Sequence, residues 1–183
     1  SGMAMRSNYD IKKLSPYSGH GIEIIRITAH DYDIRDGMDF AREVKILGYK
    51  LSINPINIMG YSDKELLWIF EQVNEIHPWQ FAIVDTFGRM RRRDLQRIVS
   101  MADHNLAPDI RLGLHLHENM ALSFCLAQEF LSMNLLRDLT VDASLMGMGR
   151  IPGNLPIELT ADYMNESCGK HYDIDELMDA IQD

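Results

Sequence analysis

Apolar β-type runs alternate with stretches of helical periodicity along nearly the whole chain. The pair repeats about every 30 residues, the length of a strand–helix unit in a parallel sheet. Gly21–Ala29 reads as a strand, and 38–47 follows with helical spacing and stops at Gly48. Tyr49–Ile56 is a second strand. Ser62, with Glu65 three residues on, carries the capping-box pattern for a helix that runs to Ile76 and ends before Pro78. Further strands are expected at 81–85, 110–117 and 139–145, with helices at 91–104, 121–133, 156–165 and 173–182. Strands of a parallel sheet are covered on both faces, which accounts for runs that are almost continuously apolar. An open doubly wound sheet and a (β/α)8 barrel both satisfy this pattern. A whole barrel needs roughly 250 residues. With five clear strands in 183 residues, the barrel version is an α/β partial TIM barrel of about five parallel strands alternating with helices.

Charge and cysteine usage narrow the function classes. A formal net charge of −9 opposes non-specific attraction to nucleic acid or anionic membrane, and neither is expected as a partner. The short basic cluster from Arg89 to Arg93 reads as a solvated helix start. Cys125 and Cys168 show no paired spacing, which fits a reducing compartment, so a cytoplasmic location is expected; Cys125 reads as buried in its helix. No apolar run approaches the roughly 18–20 residues that span a bilayer, and no signal-peptide pattern opens the chain. Residues 1–9 are set aside as a tag or disordered leader, 10–165 are expected to form the barrel domain, and 166–183 a tail with a short helix.

Three segments carry candidate chemistry. In Gly113-Leu-His-Leu-His-Glu-Asn119 the strand alternation points His115 and His117 to one face at a strand's C-terminal end. Two imidazoles so placed fit a divalent cation, or a solvated strand end filled by polar rings. Asn119 reads as a cap for the next helix. In Asp142-Ala-Ser-Leu-Met-Gly147-Met-Gly149-Arg-Ile-Pro-Gly153-Asn154 a glycine-rich loop leads into a helix. That loop can bring backbone N–H groups to an anion, with Asn154 offering an oxygen to a metal, or it is a turn with an Asn cap. Asp85-Thr86-Phe-Gly88 ends the third strand on the same rim, as part of a site or as an Asx turn closing the loop.

In this order and near this spacing, the three segments resemble the family of 3-hydroxy-3-methylglutaryl-CoA lyase, 2-isopropylmalate synthase and 4-hydroxy-2-oxovalerate aldolase. Ile24-Ile-Arg-Ile-Thr-Ala-His30 also looks like a middle barrel strand of the aldolase branch, so the five strands align with barrel strands four to eight. The resemblance implies a divalent cation (Mg, Mn, Co or Zn) held by His115 and His117, with Asn154 as a possible third ligand. It implies a carbon–carbon lyase or aldolase acting on a 2-oxo acid. Arg26, His30, Asn54, Asp85, Thr86, Gly147 and Gly149 are assigned to substrate binding on the same basis; no catalytic acid or base is assigned. The family's Arg-Asp pair on its first strand has no counterpart here. Arg35-Asp36-Gly37 imitates it, but Asp36 reads as a helix-start acid.

The missing carboxylate leaves two alternatives open. One is a catalytically silent relative that serves as a binding or assembly module. The other is a phosphate-binding isomerase that uses Gly147–Asn154. Five strands of a barrel also leave two raw edges, so a homo-oligomer or a longer parent chain is expected.

Overall fold

The computed structural model describes residues 1–182. Six strands, β1 (Gly2–Ala4), β2 (Ile24–Ala29), β3 (Lys50–Pro55), β4 (Gln80–Asp85), β5 (Arg111–Leu116) and β6 (Leu139–Asp142), are accompanied by six helices. The helices are α1 (Ile34–Ile46), α2 (Asp63–Ile76), α3 (Arg92–Asn105), α4 (Ser123–Ser132), α5 (Ile157–Ser167) and α6 (Ile174–Gln182).

Alternation along each strand separates two faces. Ile25, Ile27, Leu51, Ile53, Phe81, Ile83, Leu112 and Leu114 are buried in the apolar core. They pack with Phe40 and Val44 of α1, Leu66, Ile69 and Phe70 of α2, and Leu95, Ile98 and Val99 of α3. Phe70 meets Phe81 edge to face with ring centroids 5.4 Å apart. Each such side chain contributes roughly 1.5–3 kcal/mol on leaving water. The alternate positions Arg26, Ser52, Asn54, Gln80, His115, Thr140 and Asp142 are polar and share the opposite face. The runs that read as apolar throughout are therefore apolar on the helix-covered face and polar on the other.

All neighbouring strands are parallel, in the order β1-β2-β3-β4-β5-β6. Right-handed crossovers taken in unbroken order put every helix on one side. A doubly wound sheet instead reverses its order at a switch point. The order thus decides for the partial barrel. Its curvature is visible across the concave face, where Arg26 of β2 forms an ion pair with Asp142 of β6, four strands away. Thr140 of β6 likewise donates to Gln80 of β4 at 2.7 Å, and Gln80 donates to Ser52 of β3 at 3.1 Å.

Several expectations are corrected. The sheet has six strands where five were expected, because Gly2–Ala4, set aside with the leader 1–9, pairs with Ile25–Ile27. Three residues are too few to display a period. Helix α1 begins at Ile34, so Asp36 lies in its first turn as read. Cys125 is exposed, on the solvent side of α4. Among the described residues no helix is long and apolar enough to cross a membrane.

The start of α2 is the capping box expected. The Ser62 hydroxyl accepts from the Glu65 backbone N–H at 3.4 Å, and the Glu65 carboxylate accepts from the Ser62 N–H at 2.7 Å. Ser62→Ala is expected to cost about 1 kcal/mol in urea denaturation. The Ser62 hydroxyl and backbone hydrogen bonds hold the Glu65 carboxyl below its ordinary 4.5. Its contribution is therefore complete above that value and is lost as pH falls through the depressed one.

Candidate functional site

The C-terminal ends of β4, β5 and β6 and the loops that follow them assemble the residues singled out by the sequence. His115 and His117 do project side by side, with ring centroids 4.9 Å apart and planes at 75°. Each ring is fixed through Nδ1. The Nδ1 of His117 lies 2.7 Å from the Asp85 carbonyl oxygen, which can only accept, so Nδ1 carries the proton. The Nδ1 of His115 lies 3.0 Å from Asp142 Oδ2. Burial pushes the Asp142 carboxyl up, but the His115 hydrogen bond and the nearby Arg26 guanidinium outweigh burial and hold it below the ordinary carboxylate range. Asp142 is therefore ionised at neutral pH and also only accepts. With Nδ1 engaged in each ring, Nε2 is the atom left to offer a lone pair to a metal.

Asn154 reaches the same place through the backbone. The loop after β6 folds back so that Asn154 forms an antiparallel bridge with His117, and the Gly153 carbonyl accepts from the Glu118 N–H at 3.0 Å. Arg26, His115, Asp142 and Asn154 line a common cavity of about 250 Å³. The Asn154 Nδ2 donates to the Met148 carbonyl at 2.8 Å, which directs the amide and commits its nitrogen.

Gly147 and Gly149 shape this cradle. Gly147 has φ +64°, and a Cβ there would stand 2.5 Å from the Asn154 carbonyl oxygen. A Cβ on Gly149 would overlap the Asn154 amide itself. Gly149→Ala is expected to displace that amide and destabilise by about 1–3 kcal/mol, as overpacking does, measured by urea denaturation. The same loop engages several of its own backbone donors. The N–H groups of Gly147, Met148, Gly153 and Asn154 donate to loop carbonyls, and that of Met146 donates to Glu158 at 3.0 Å. These five N–H groups are thus spent on the loop itself.

The other assigned residues lie on the concave face or at the strand ends. Arg26 and Asn54 do share the concave face. With the Asn54 amide turned to satisfy Ser52, its Oδ1 accepts from Arg26 Nη2 at 3.1 Å. The Asp85 carboxylate is buried and accepts from the backbone of Arg89 and Met90, each at 3.0 Å, so it closes its own loop. Thr86 Oγ1 accepts from the Asn57 N–H at 2.7 Å and ties two loops together. His30 stacks on Tyr32 at the end of β2, with centroids 4.9 Å apart. Asn119 does not cap α4; its amide donates to the Phe87 carbonyl at 3.0 Å. Burial raises the Glu118 carboxyl, with the Ser123 backbone opposing the shift.

The residue missed is Asp142. It stood in the quoted motif without a role, because its partners Arg26 and His115 lie on other strands.

The donor chemistry fits a divalent cation in part. Two imidazoles with anchored Nδ1 and free Nε2, one of them oriented by a carboxylate, reproduce the outer arrangement typical of metal-ligating histidines. Among the described residues, however, no group of three His, Cys, Asp or Glu side chains is placed to hold a metal ion.

Comparison with known structures bears on the fold. The chain aligns with the N-terminal domain of a candidate aldolase from Bacteroides vulgatus at 22% identity and TM-score 0.80, covering 98% of this chain and 60% of that one. It aligns with hydroxymethylglutaryl-CoA lyase from Pseudomonas aeruginosa at 15% identity and TM-score 0.72, covering 87% and 61%. The carboxyl transferase domain of Rhizobium etli pyruvate carboxylase, solved with pyruvate, matches at 9% identity and TM-score 0.73, covering 88% and 28%. The chain thus spans about three fifths of the length of the first two. The family model described as HMGL-like matches residues 26–183, most of the sequence, and the chain therefore belongs to the HMGL-like family.

Proposed function

We propose that this chain supplies the metal-holding part of a carbon–carbon bond lyase or aldolase acting on a 2-oxo acid. The observation that carries the proposal is the pair of adjacent imidazoles, each engaged through Nδ1, with the backbone of Asn154 bridged to that of His117. His115, His117 and the Asn154 side-chain oxygen would hold a divalent cation such as Mg, Mn, Co or Zn. When bound, that ion supplies positive charge against the negative charge that develops on a carbonyl oxygen. The protein's own share is orientation. Asp142 fixes the tautomer of His115, and Arg26 keeps Asp142 ionised and lines the substrate side of the cavity. Asn54 braces Arg26. Gly147 and Gly149 leave room for Asn154.

Asp142→Ala is expected to weaken divalent-cation affinity about 10–100-fold, the usual effect of losing the group that orients a ligating histidine. Isothermal titration with Mn²⁺ measures it.

A second reading is favoured by one observation, the lack of a third His, Cys, Asp or Glu side chain at the pair. In that reading the barrel is catalytically silent and serves as a binding or assembly module. One experiment separates the two. The purified chain is loaded with Mn²⁺, titrated with pyruvate and with oxalate, and assayed for pyruvate release from a 4-hydroxy-2-oxo acid. Metal-dependent binding of both ligands together with pyruvate release supports the lyase. Cation binding without any affinity for either ligand supports the silent module.

A further inference from the structure

Gly113 opens the histidine motif and is buried in the middle of β5, where it holds no part of the cation site. A glycine inside a strand weakens it and marks a place where another group comes close. Here that group is the Gln80 side chain. A Cβ on Gly113 would overlap the Gln80 amide nitrogen and stand 2.8 Å from its Cδ and 3.1 Å from the Thr140 hydroxyl oxygen. The bare backbone of β5 therefore leaves a path for Gln80 of β4 to reach Thr140 of β6, whose hydroxyl donates to it at 2.7 Å. Gln80 is 4% exposed, and its nitrogen donates to the buried Ser52 hydroxyl of β3 at 3.1 Å. The Asn54 amide, in the orientation that satisfies it, donates to the same hydroxyl at 2.8 Å and accepts from Arg26 of β2. Arg26 closes this belt on Asp142 of β6, which in turn engages His115.

The belt matters because β6 is an edge strand, whose backbone is paired with β5 alone. Among the described residues, two polar side-chain links draw β6 further across the concave face: Thr140 to Gln80, and Asp142 to Arg26. Thr140 and Asp142 are two residues apart, so they share a face and move together. Holding Thr140 therefore sets where the Asp142 carboxylate stands between Arg26 and His115. A hydrocarbon at position 80 could fill the same space, but only a group that both donates and accepts can bridge Ser52 and Thr140. We propose that Gln80 is a positioning residue for the cation site, and that Gly113 is glycine so that Gln80 can pass over β5. Gln80 acts on the site through Thr140 and Asp142. Its effect on cation affinity rests on the reading of His115 and His117 as ligands; its effect on the His115–Asp142 hydrogen bond does not.

The test compares four variants of the full chain. Gln80→Leu deletes both hydrogen bonds, Thr140→Val deletes one while keeping the shape, and Thr140→Ser keeps the hydroxyl. Ser62→Ala weakens the remote cap of α2 and controls for lost stability. Long-range proton–nitrogen NMR of the metal-free protein reads the Nδ1 shift of each histidine. The His115 Nδ1 shift is expected to move in Gln80→Leu and Thr140→Val and to stay in Thr140→Ser and Ser62→Ala. The His117 Nδ1 shift is expected to stay in all four, because its partner is the Asp85 backbone carbonyl. Isothermal titration with Mn²⁺ is expected to show affinity about 3–10-fold weaker in Gln80→Leu, less than the about 10–100-fold for losing the orienting carboxylate itself. An unmoved His115 Nδ1 in folded Thr140→Val, or an equal movement in Thr140→Ser or Ser62→Ala, overturns the proposal. Circular dichroism reports whether each variant is folded, and should Gln80→Leu fail to fold, the isosteric Thr140→Val decides. A parent chain that binds no Mn²⁺ overturns the lyase reading instead, and the NMR shifts still decide the role of Gln80.

Discussion

His117→Ala is expected to lower divalent-cation affinity by more than about 100-fold, beyond the 10–100-fold that groups merely orienting a ligand contribute. The larger loss follows from the position of the ring. Its Nδ1–H is spent on the Asp85 carbonyl, so the only metal-binding atom it offers is Nε2, and alanine removes that atom without a substitute. The backbone bridge to Asn154 survives the substitution, because it is formed by main-chain atoms. The fold is therefore retained, and destabilisation is limited to about 1–3 kcal/mol for the orphaned carbonyl. Isothermal titration with Mn²⁺ and urea denaturation read the two effects separately. Affinity within threefold of the parent would remove His117 from the ligand set.

The second large effect lies at the opposite end of the sheet. Arg137, just ahead of β6, has a side chain only 4% exposed. Its Nε pairs with Asp103 Oδ1 at 2.7 Å, and its Nη2 donates to the carbonyls of Asp103 at 2.8 Å and Leu106 at 3.2 Å. Its Nη1 donates to the carbonyls of Ala107 at 3.2 Å and Ile110 at 3.1 Å. One guanidinium thus satisfies carbonyls at the end of α3 and in the loop to β5, and locks β6 against them. Arg137→Ala is expected to destabilise by about 3–5 kcal/mol, the cost of breaking a buried ion pair and stranding its partner. Arg137→Lys should recover only part of this, because an ammonium cannot reproduce the planar fork. Urea denaturation at constant slope measures both.

The helices and five of the strands were legible because their apolar periods are local. The capping of α2 by Ser62 and Glu65 was readable for the same reason: both partners lie within one turn. The polar face of the sheet was written in the sequence as Arg26-Ile-Thr28, Ser52-Ile-Asn54 and Thr140-Val-Asp142, yet it read as continuous strand, since small and β-branched residues blur a period of two. Only the order of the strands shows which side becomes a barrel interior.

At the site, the histidine pair was visible because alternation alone places both rings on one face. Asp142 and Arg26 were not visible as a pair, because 116 residues separate them and only the curvature of the sheet brings them together. Arg137 carries no motif, and its weight comes entirely from the carbonyls that converge on it. Asp85 shows the reverse case: the simple local turn, one of the two readings its sequence allowed, is what its side chain makes.

The account stands on two Nε2 atoms sharing one cation. Zinc-soaked crystals and an anomalous difference map test it directly. A single peak about 2.0–2.1 Å from the Nε2 of both His115 and His117 is the expected result. A peak bound to one ring alone, a peak elsewhere, or rings turned so that Nδ1 faces the metal would contradict it.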